Sequence, residues 1–272
     1  MGGGIAEVAA RAGCDVVVVE VSDERAAASR DAIAASLDRA AAKGKLSEAD
    51  RDAALARLQV VSDYAALADR EIVIEAVVES EEEKLRVFAE LDRTVRDQDA
   101  ILASNTSSIP IARLASATQR PDHVLGMHFF NPVPVLRLVE LIPSLRTDDA
   151  VAARAEAFAT EVLGKRVIRC PDRAGFVVNV LLVPYLLSAI RLYEQGFATA
   201  EDIDTGMVEG CNHPMGPLRL TDLIGLDTIK AVAESLYEEF RDPAFATPPL
   251  LARMVDAGFL GRKSGRGFYD YS

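Results

Sequence analysis

Strand-like and helix-like segments alternate along the first two-thirds of the chain, and this alternation restricts the fold more than any other feature. Residues 15–21 form a β-branched run that is apolar on both faces, as in a strand buried inside a parallel sheet. The other predicted elements are helices at 5–12, 23–42, 81–95 and 150–163, a helix beginning at Ser47, and strands at 71–78, 101–103, 124–130 and 166–170. Repeated strand, helix, strand units imply a parallel sheet wrapped by helices.

The pattern changes after Pro171, where strand-like runs give way to helical ones. Helices are predicted at residues 176–195, 200–208, 218–239 and 250–257. We therefore expect two domains, residues 1–173 with a helical arm at about 23–58, and residues 174–272, which are all helical. The most apolar stretch, residues 176–190, is shorter than the roughly 20 residues of a membrane span, so we expect a buried helix and no membrane partner.

Composition excludes several classes of protein. The chain has 30 basic and 42 acidic residues and a net charge of −12, so it lacks the positive field that binds a nucleic acid backbone. Three widely spaced cysteines are typical of reduced thiols rather than of a disulfide framework or a zinc site. The first residues lack the pattern of a signal peptide. We expect a cytoplasmic protein without a metal.

The N-terminal strand carries a partial signal for dinucleotide binding. The run Val16–Val19 ends in Glu20, and an acid at this place accepts hydrogen bonds from an adenosine ribose. Gly2 precedes Glu20 at about the spacing expected of the glycine fingerprint, but the fingerprint is incomplete. A flexible N-terminus followed by an ordinary strand explains this segment equally well.

Eight short runs, in a fixed order along the chain, narrow the function much further. They are Glu75-Ala-Val-Val-Glu79, Ser104-Asn-Thr-Ser-Ser108, His128-Phe-Phe-Asn-Pro-Val-Pro134, Leu138-Val-Glu140, Gly175-Phe-Val-Val-Asn179, Pro214-Met-Gly-Pro217, Asp222-Leu-Ile-Gly-Leu-Asp227 and Gly261-Arg-Lys-Ser-Gly-Arg-Gly-Phe-Tyr269. Together they resemble the 3-hydroxyacyl-CoA dehydrogenase family over essentially the whole chain, and most closely its short, stand-alone bacterial 3-hydroxybutyryl-CoA branch.

The resemblance implies both a fold and a reaction. The fold is a doubly wound, Rossmann-type, mostly parallel sheet followed by an all-helical C-terminal domain. The reaction is reversible hydride transfer between NAD(H) and a short-chain 3-hydroxyacyl-CoA in fatty acid or butanoate metabolism. Two alternatives stay open: a gulonate-type 3-hydroxyacid dehydrogenase, and a catalytically silent homologue without an intact cofactor loop.

The N-terminus departs from the pattern of the family. Members begin with a strand that leads into Gly-X-Gly-X-Met-Gly, and here Met1 and Gly2 match only the last two positions. We expect that about a dozen residues of the family pattern lie upstream of an internally assigned start. Those residues would supply a central strand and the loop that cradles the pyrophosphate.

Oxidising a secondary alcohol needs a base for the hydroxyl proton, and histidine suits this task near neutral pH. Of the three histidines, His128 follows a strand-like run, at the strand end where open α/β sheets bind ligands. On the residues alone, a structural histidine is the commoner outcome. The resemblance makes His128 the catalytic base and Glu140 the carboxylate that orients it and stabilises the imidazolium.

The resemblance assigns two further catalytic residues. Ser107 lies near the 3-oxygen of the substrate and the nicotinamide, and Asn179 binds substrate. The Ser104–Ser108 run alone also fits a turn or a helix N-cap. An asparagine within an apolar helix must find polar partners, and a helix–helix hydrogen bond is the alternative for Asn179.

Cofactor and substrate contacts also follow from the resemblance. Glu20 favours NAD over NADP because an acid repels a 2′-phosphate. Ser36 and Lys43 lie on one face of the predicted arm helix, where they match a pair that contacts CoA, although any Ala-rich surface helix carries such residues. The family dimerises through its C-terminal domain, and we expect a homodimer here. The full set of expected cofactor contacts is Gly2, Glu20, Glu79, Lys84, Ser107, Asn131 and Lys263.

Overall fold

The computed structural model describes residues 1–271 and divides them into two compact units. The first unit, Met1–Asp172, contains seven strands within its described residues. A two-stranded sheet pairs the first two strands, and a five-stranded sheet follows chain order, parallel except at the β5–β6 pair. The strands are β1 (Val16–Val19), β2 (Leu58–Val61), β3 (Ile72–Glu75), β4 (Ile101–Ser104), β5 (Val124–Phe129), β6 (Leu138–Pro143) and β7 (Arg166–Arg169).

Helices cover these sheets and bury their apolar side chains. β4 and β5 are buried at every position, which explains their uninterrupted apolar sequences. Ser22 caps the second helix by accepting a hydrogen bond from the Arg25 N–H. The helices of this unit are α1 (Gly2–Arg11), α2 (Asp23–Ala42), α3 (Glu48–Ala56), α4 (Glu81–Thr94), α5 (Ile111–Ala115) and α6 (Asp149–Ala157). The arrangement confirms the predicted Rossmann-type, mostly parallel architecture, whereas β2, β6 and α5 were not predicted.

The facing edges of β1 and β3 line a cavity of about 690 Å³. These two strands belong to separate sheets in the described chain. Gly2, at the start of α1, lines the same cavity, as do Glu20 and Ala76, which directly follow β1 and β3. A Cβ atom at Gly2 would lie 3.6 Å from the Cβ of Ala76, so the N-terminus of α1 borders the end of β3.

The second unit begins at Arg173, and its regular elements in the described residues are helices. Its main helices are α7 (Val178–Glu194), α8 (Ala200–Cys211), α9 (Pro217–Ile224), α10 (Leu226–Phe240) and α11 (Pro249–Asp256). The prediction of one helix over residues 218–239 is wrong, because Gly225 adopts φ +107° and separates α9 from α10. No helix in the described part of the chain is long and apolar enough to cross a membrane.

Buried carboxylates hold the C-terminal segment onto this helical unit. Asp222 is fully buried and accepts hydrogen bonds from the backbone N–H groups of Phe268 and Tyr269 and from the Tyr271 hydroxyl. Burial raises the pKa of Asp222, and the two backbone N–H groups partly oppose that effect by stabilising the carboxylate. The tail from residue 266 to residue 271 is therefore an integral part of the unit.

Candidate active site

His128 and Glu140 meet because of the register between two strands. β5 and β6 pair antiparallel, and His128 stands opposite Glu140, so both side chains lie on one face of the sheet. The His128 Nδ1 atom is 2.8 Å from Glu140 Oε2. His128 is 5% exposed and Glu140 is fully buried. A buried carboxylate at Nδ1 favours the tautomer with the proton on Nδ1, which leaves Nε2 able to accept a proton.

Ser107 completes a line of three polar side chains. Its Oγ atom lies 3.2 Å from His128 Nε2, on the side of the ring opposite Glu140. Ser107 belongs to the loop that follows β4, and its residue is only half-buried, whereas Ser104 at the end of that strand is fully buried. The rings of His128 and Phe130 pack edge to face, with 4.7 Å between centroids. Hydroxyl, imidazole and carboxylate form the arrangement of an oriented general base.

A network of buried charges lies next to this line. The ammonium of Lys84 is 2.8 Å and 3.0 Å from the two carboxylate oxygens of Glu75, and 3.4 Å from Glu79. The side chains of Lys84 and Glu75 are 1% and 0% exposed. The Ser104 hydroxyl also donates to Glu75, at 2.6 Å. Lys84 was expected to contact the cofactor, and the structure places its side chain inside the protein, paired with Glu75.

Comparison with known proteins assigns the chain to a family. The model of the 3-hydroxyacyl-CoA dehydrogenase NAD binding domain matches residues 1–173, and the model of the C-terminal domain of the same family matches residues 175–271. The chain belongs to the 3-hydroxyacyl-CoA dehydrogenase family. The resemblance expected from the eight sequence runs is thereby confirmed.

Individual dehydrogenases of this family are similar over the whole chain. A 3-hydroxybutyryl-CoA dehydrogenase of Mycobacterium tuberculosis is 61% identical over 271 residues, which cover 100% of this chain and 95% of the relative. A mitochondrial hydroxyacyl-coenzyme A dehydrogenase of Sus scrofa is 40% identical and covered to 88%. Among solved structures, M. tuberculosis FadB2 superimposes with a TM-score of 0.99 at 61% identity, with 100% and 95% of the two chains covered. The (S)-3-hydroxybutyryl-CoA dehydrogenase PaaH1 of Ralstonia eutropha gives a TM-score of 0.94 at 48% identity and the same coverage.

Residues expected on the nucleotide side of this dehydrogenase fold lie around the carboxyl ends of the strands. Gly2 and Glu20 both line the cavity between β1 and β3. The backbone N–H groups of the first turn of α1 and its positive dipole end suit a pyrophosphate, and the carboxylate of Glu20 suits a ribose hydroxyl. Asn131 is exposed and follows β5 by two residues. These residues therefore fit NAD, the cofactor of the family.

The remaining expected residues lie farther along the chain. Asn179 is half-buried near the start of α7, in the second unit. Lys263, in the same unit, forms an ion pair with Asp227 at 2.5 Å. Ser36 is half-buried within α2, and Lys43 is exposed at the C-cap of that helix. Residues 1–271 contain no group of three or more His, Cys, Asp and Glu side chains placed to hold a metal ion.

Three residues of the site were not predicted from the sequence. Glu75 binds Lys84 and Ser104, and Thr106 donates its hydroxyl to Glu79. Asn105 accepts a hydrogen bond from the Phe129 N–H at 2.8 Å and so ties the loop after β4 to the end of β5, next to His128. The signal available in the sequence was position: Glu75 lies within a predicted strand, and Asn105 and Thr106 follow the next predicted strand within three residues.

Proposed function

We propose that the chain is an NAD-dependent dehydrogenase that interconverts (S)-3-hydroxybutyryl-CoA and acetoacetyl-CoA. The observation that carries this proposal is the line from Ser107 through His128 to Glu140, with distances of 3.2 Å and 2.8 Å. The identity of 61% to a 3-hydroxybutyryl-CoA dehydrogenase supports the choice of substrate. A short acyl chain and the S isomer are the substrate features that the similar dehydrogenases suggest.

His128 is the general base in this mechanism. With its Nδ1 proton held by Glu140, Nε2 takes the proton of the substrate 3-hydroxyl, and the charge of Glu140 stabilises the resulting imidazolium. The Ser107 hydroxyl, 3.2 Å from Nε2, orients the 3-oxygen beside the ring. In the reverse direction His128 returns its proton to the ketone oxygen. Asn179 contributes a polar contact to the substrate.

Bound NAD supplies the hydride acceptor for this reaction. Gly2 and the first turn of α1 would hold its pyrophosphate, and Glu20 its adenosine ribose. Asn131 and Lys263 are proposed contacts on the nicotinamide side and in the second unit. An acid at residue 20 selects against a 2′-phosphate and so favours NAD over NADP.

The CoA moiety is proposed to bind along the arm helix. Lys43 is exposed at the C-cap of α2 and provides a positive charge for a phosphate. Ser36 stands on the same face, seven residues earlier, and provides a hydroxyl. A substrate without CoA would gain nothing from this pair.

A turnover assay tests the proposal. The purified chain is mixed with NADH and acetoacetyl-CoA, and the absorbance of the reduced nicotinamide is followed; oxidation is expected in the wild type and loss of it in His128→Ala. Parallel reactions contain free acetoacetate with NADH, or gulonate with NAD. Activity that His128→Ala retains, or a preference for the acid without CoA, would refute the proposed reaction.

We also propose a cytoplasmic homodimer that associates through the second unit. Large apolar side chains are exposed there, with Phe197 at 78% and Leu181 at 70%. Light scattering across a range of concentrations is expected to give twice the mass of the chain. Leu181→Glu and Phe197→Glu should shift that mass to the monomer, and a monomer mass in the wild type at every concentration would exclude the dimer.

A further inference from the structure

Glu79 organises the loop that carries Ser107. One of its carboxylate oxygens, Oε1, accepts hydrogen bonds from the Thr106 hydroxyl at 2.5 Å, the Ser107 N–H at 2.9 Å and the Ser108 N–H at 3.2 Å. The Ser108 hydroxyl also donates to it, at 3.3 Å. Three consecutive residues of one irregular segment are therefore attached to a single side chain from another segment, the one after β3. Charge-assisted hydrogen bonds of this kind are stronger than those between neutral groups.

A buried lysine, Lys84, in turn fixes the position of the Glu79 carboxylate. The second oxygen of Glu79, Oε2, lies 3.4 Å from the ammonium of Lys84, whose other neighbours are the two oxygens of Glu75. Two of the three N–H donors of this ammonium are hydrogen-bonded to Glu75, and Glu79 adds an ion pair at 3.4 Å. With a side chain that is 1% exposed, Lys84 is shielded from solvent. Its geometry is that of an internal support rather than of a cofactor ligand.

We propose that Glu79 is a positioning residue for Ser107 and that Lys84, anchored by Glu75, fixes Glu79 for this purpose. The proposal rests on the proposed function, in which the Ser107 hydroxyl orients the substrate oxygen beside His128. It departs from the expectation that Glu79 and Lys84 serve chiefly as contacts to the cofactor. Glu79 acts on the chemistry through the Ser107 backbone and touches no reacting atom.

A double-mutant cycle separates positioning from cofactor binding. Glu79→Ala and Ser107→Ala are each expected to lower kcat about 10²-fold, because misplacement of an orienting group by about 1 Å has that effect. If Glu79 works through Ser107, the double variant also loses about 10²-fold rather than about 10⁴-fold. The affinity for NADH, measured by its fluorescence, is expected to stay within about threefold of the wild type.

Two further variants keep the cycle interpretable. Glu79→Gln retains a carbonyl oxygen for the Ser107 N–H and is expected to recover most of the activity that Glu79→Ala loses. Glu82→Ala removes a glutamate whose side chain is 74% exposed from α4, the helix that carries Lys84, and activity should not change. Multiplicative effects in the cycle, or a large loss of NADH affinity with kcat retained, would overturn the proposal.

NMR of the histidine rings tests the positioning without turnover. The His128 ring signals are expected to shift in Glu79→Ala in the same direction as in Ser107→Ala, whereas those of His213, which contacts Tyr185, stay in place. An unshifted His128 signal in Glu79→Ala would count against the positioning role of Glu79, regardless of which substrate the enzyme uses. Conversely, absence of NADH oxidation by the wild type would refute the proposed function alone.

Discussion

Replacing Glu140 by glutamine tests the electrostatic part of the proposed mechanism. The amide has the shape of the carboxylate, and its oxygen can still accept the Nδ1–H bond that is 2.8 Å long in the structure. The tautomer of His128 is therefore kept, and only the negative charge beside the ring is lost. Because Glu140 is fully buried, water cannot replace that charge.

The size of the effect follows from Coulomb's law. With charge centres about 4 Å apart and an effective dielectric constant of about 20, the carboxylate stabilises the imidazolium by about 4 kcal/mol. At about 1.4 kcal/mol per tenfold change in rate, complete proton transfer in the transition state gives a loss in kcat of about 10³-fold. Half-complete transfer gives about 30-fold.

The assay is steady-state reduction of NAD at saturating (S)-3-hydroxybutyryl-CoA, the direction in which His128 gains its proton, with circular dichroism to confirm that the variant is folded. Glu156→Gln is the matched control, because Glu156 is also paired with a cation, Arg169 at 2.6 Å, but on the surface with a side chain that is 38% exposed. Because solvent screens this surface ion pair, Glu156→Gln should leave kcat within about twofold of the wild type. A folded Glu140→Gln enzyme with kcat within about threefold of the wild type would refute the electrostatic reasoning.

Three other variants probe stability and cofactor choice. Lys84→Met leaves Glu75 buried without its cation, so the free energy of unfolding measured in urea should fall by about 3–5 kcal/mol. Adding Glu75→Gln to the same chain removes the unpaired charge and should recover part of that stability. Asp222→Ala releases the three donors of the C-terminal tail and should cost about 2–4 kcal/mol in the same assay, whereas Lys263→Ala, from an exposed ion pair, should cost less than about 1 kcal/mol. Glu20→Ala should raise the ratio of kcat/KM for NADPH to that for NADH about tenfold; an unchanged ratio would exclude Glu20 from the ribose site.

The alternation of strands and helices could be predicted from the sequence because it depends on local periodicity. A run such as Val16–Val19 has apolar side chains on both faces wherever it lies, so its place in a buried sheet follows from its own residues. Gly225 shows the limit of such reasoning. Helical periodicity continues across it, but the backbone leaves the helix at φ +107°, in a crowded place where a Cβ atom would lie 3.0 Å from Asp227 and Lys263 atoms.

The candidate catalytic residues could be selected from the sequence, but their contact could not be derived from it. His128 and Glu140 are twelve residues apart, and only the antiparallel register of β5 with β6 makes them neighbours. Lys84 illustrates the same dependence. Its neighbours Glu81–Glu83 indicate an exposed helix start, yet the ammonium is buried, because β3 presents Glu75 to it.

The sequence by itself therefore determined the fold class, the order of most elements and the residue types available for chemistry. The tertiary structure decided which of those residues form ion pairs or hydrogen bonds with one another. The physical reason is the distance along the chain over which each effect acts. Backbone propensity and side-chain periodicity depend on residues a few positions apart. A buried charge, in contrast, is tolerated only where another segment of the chain supplies its partner. Glu79 and Ser107, 28 residues apart, are neighbours only because the fold brings their two segments together.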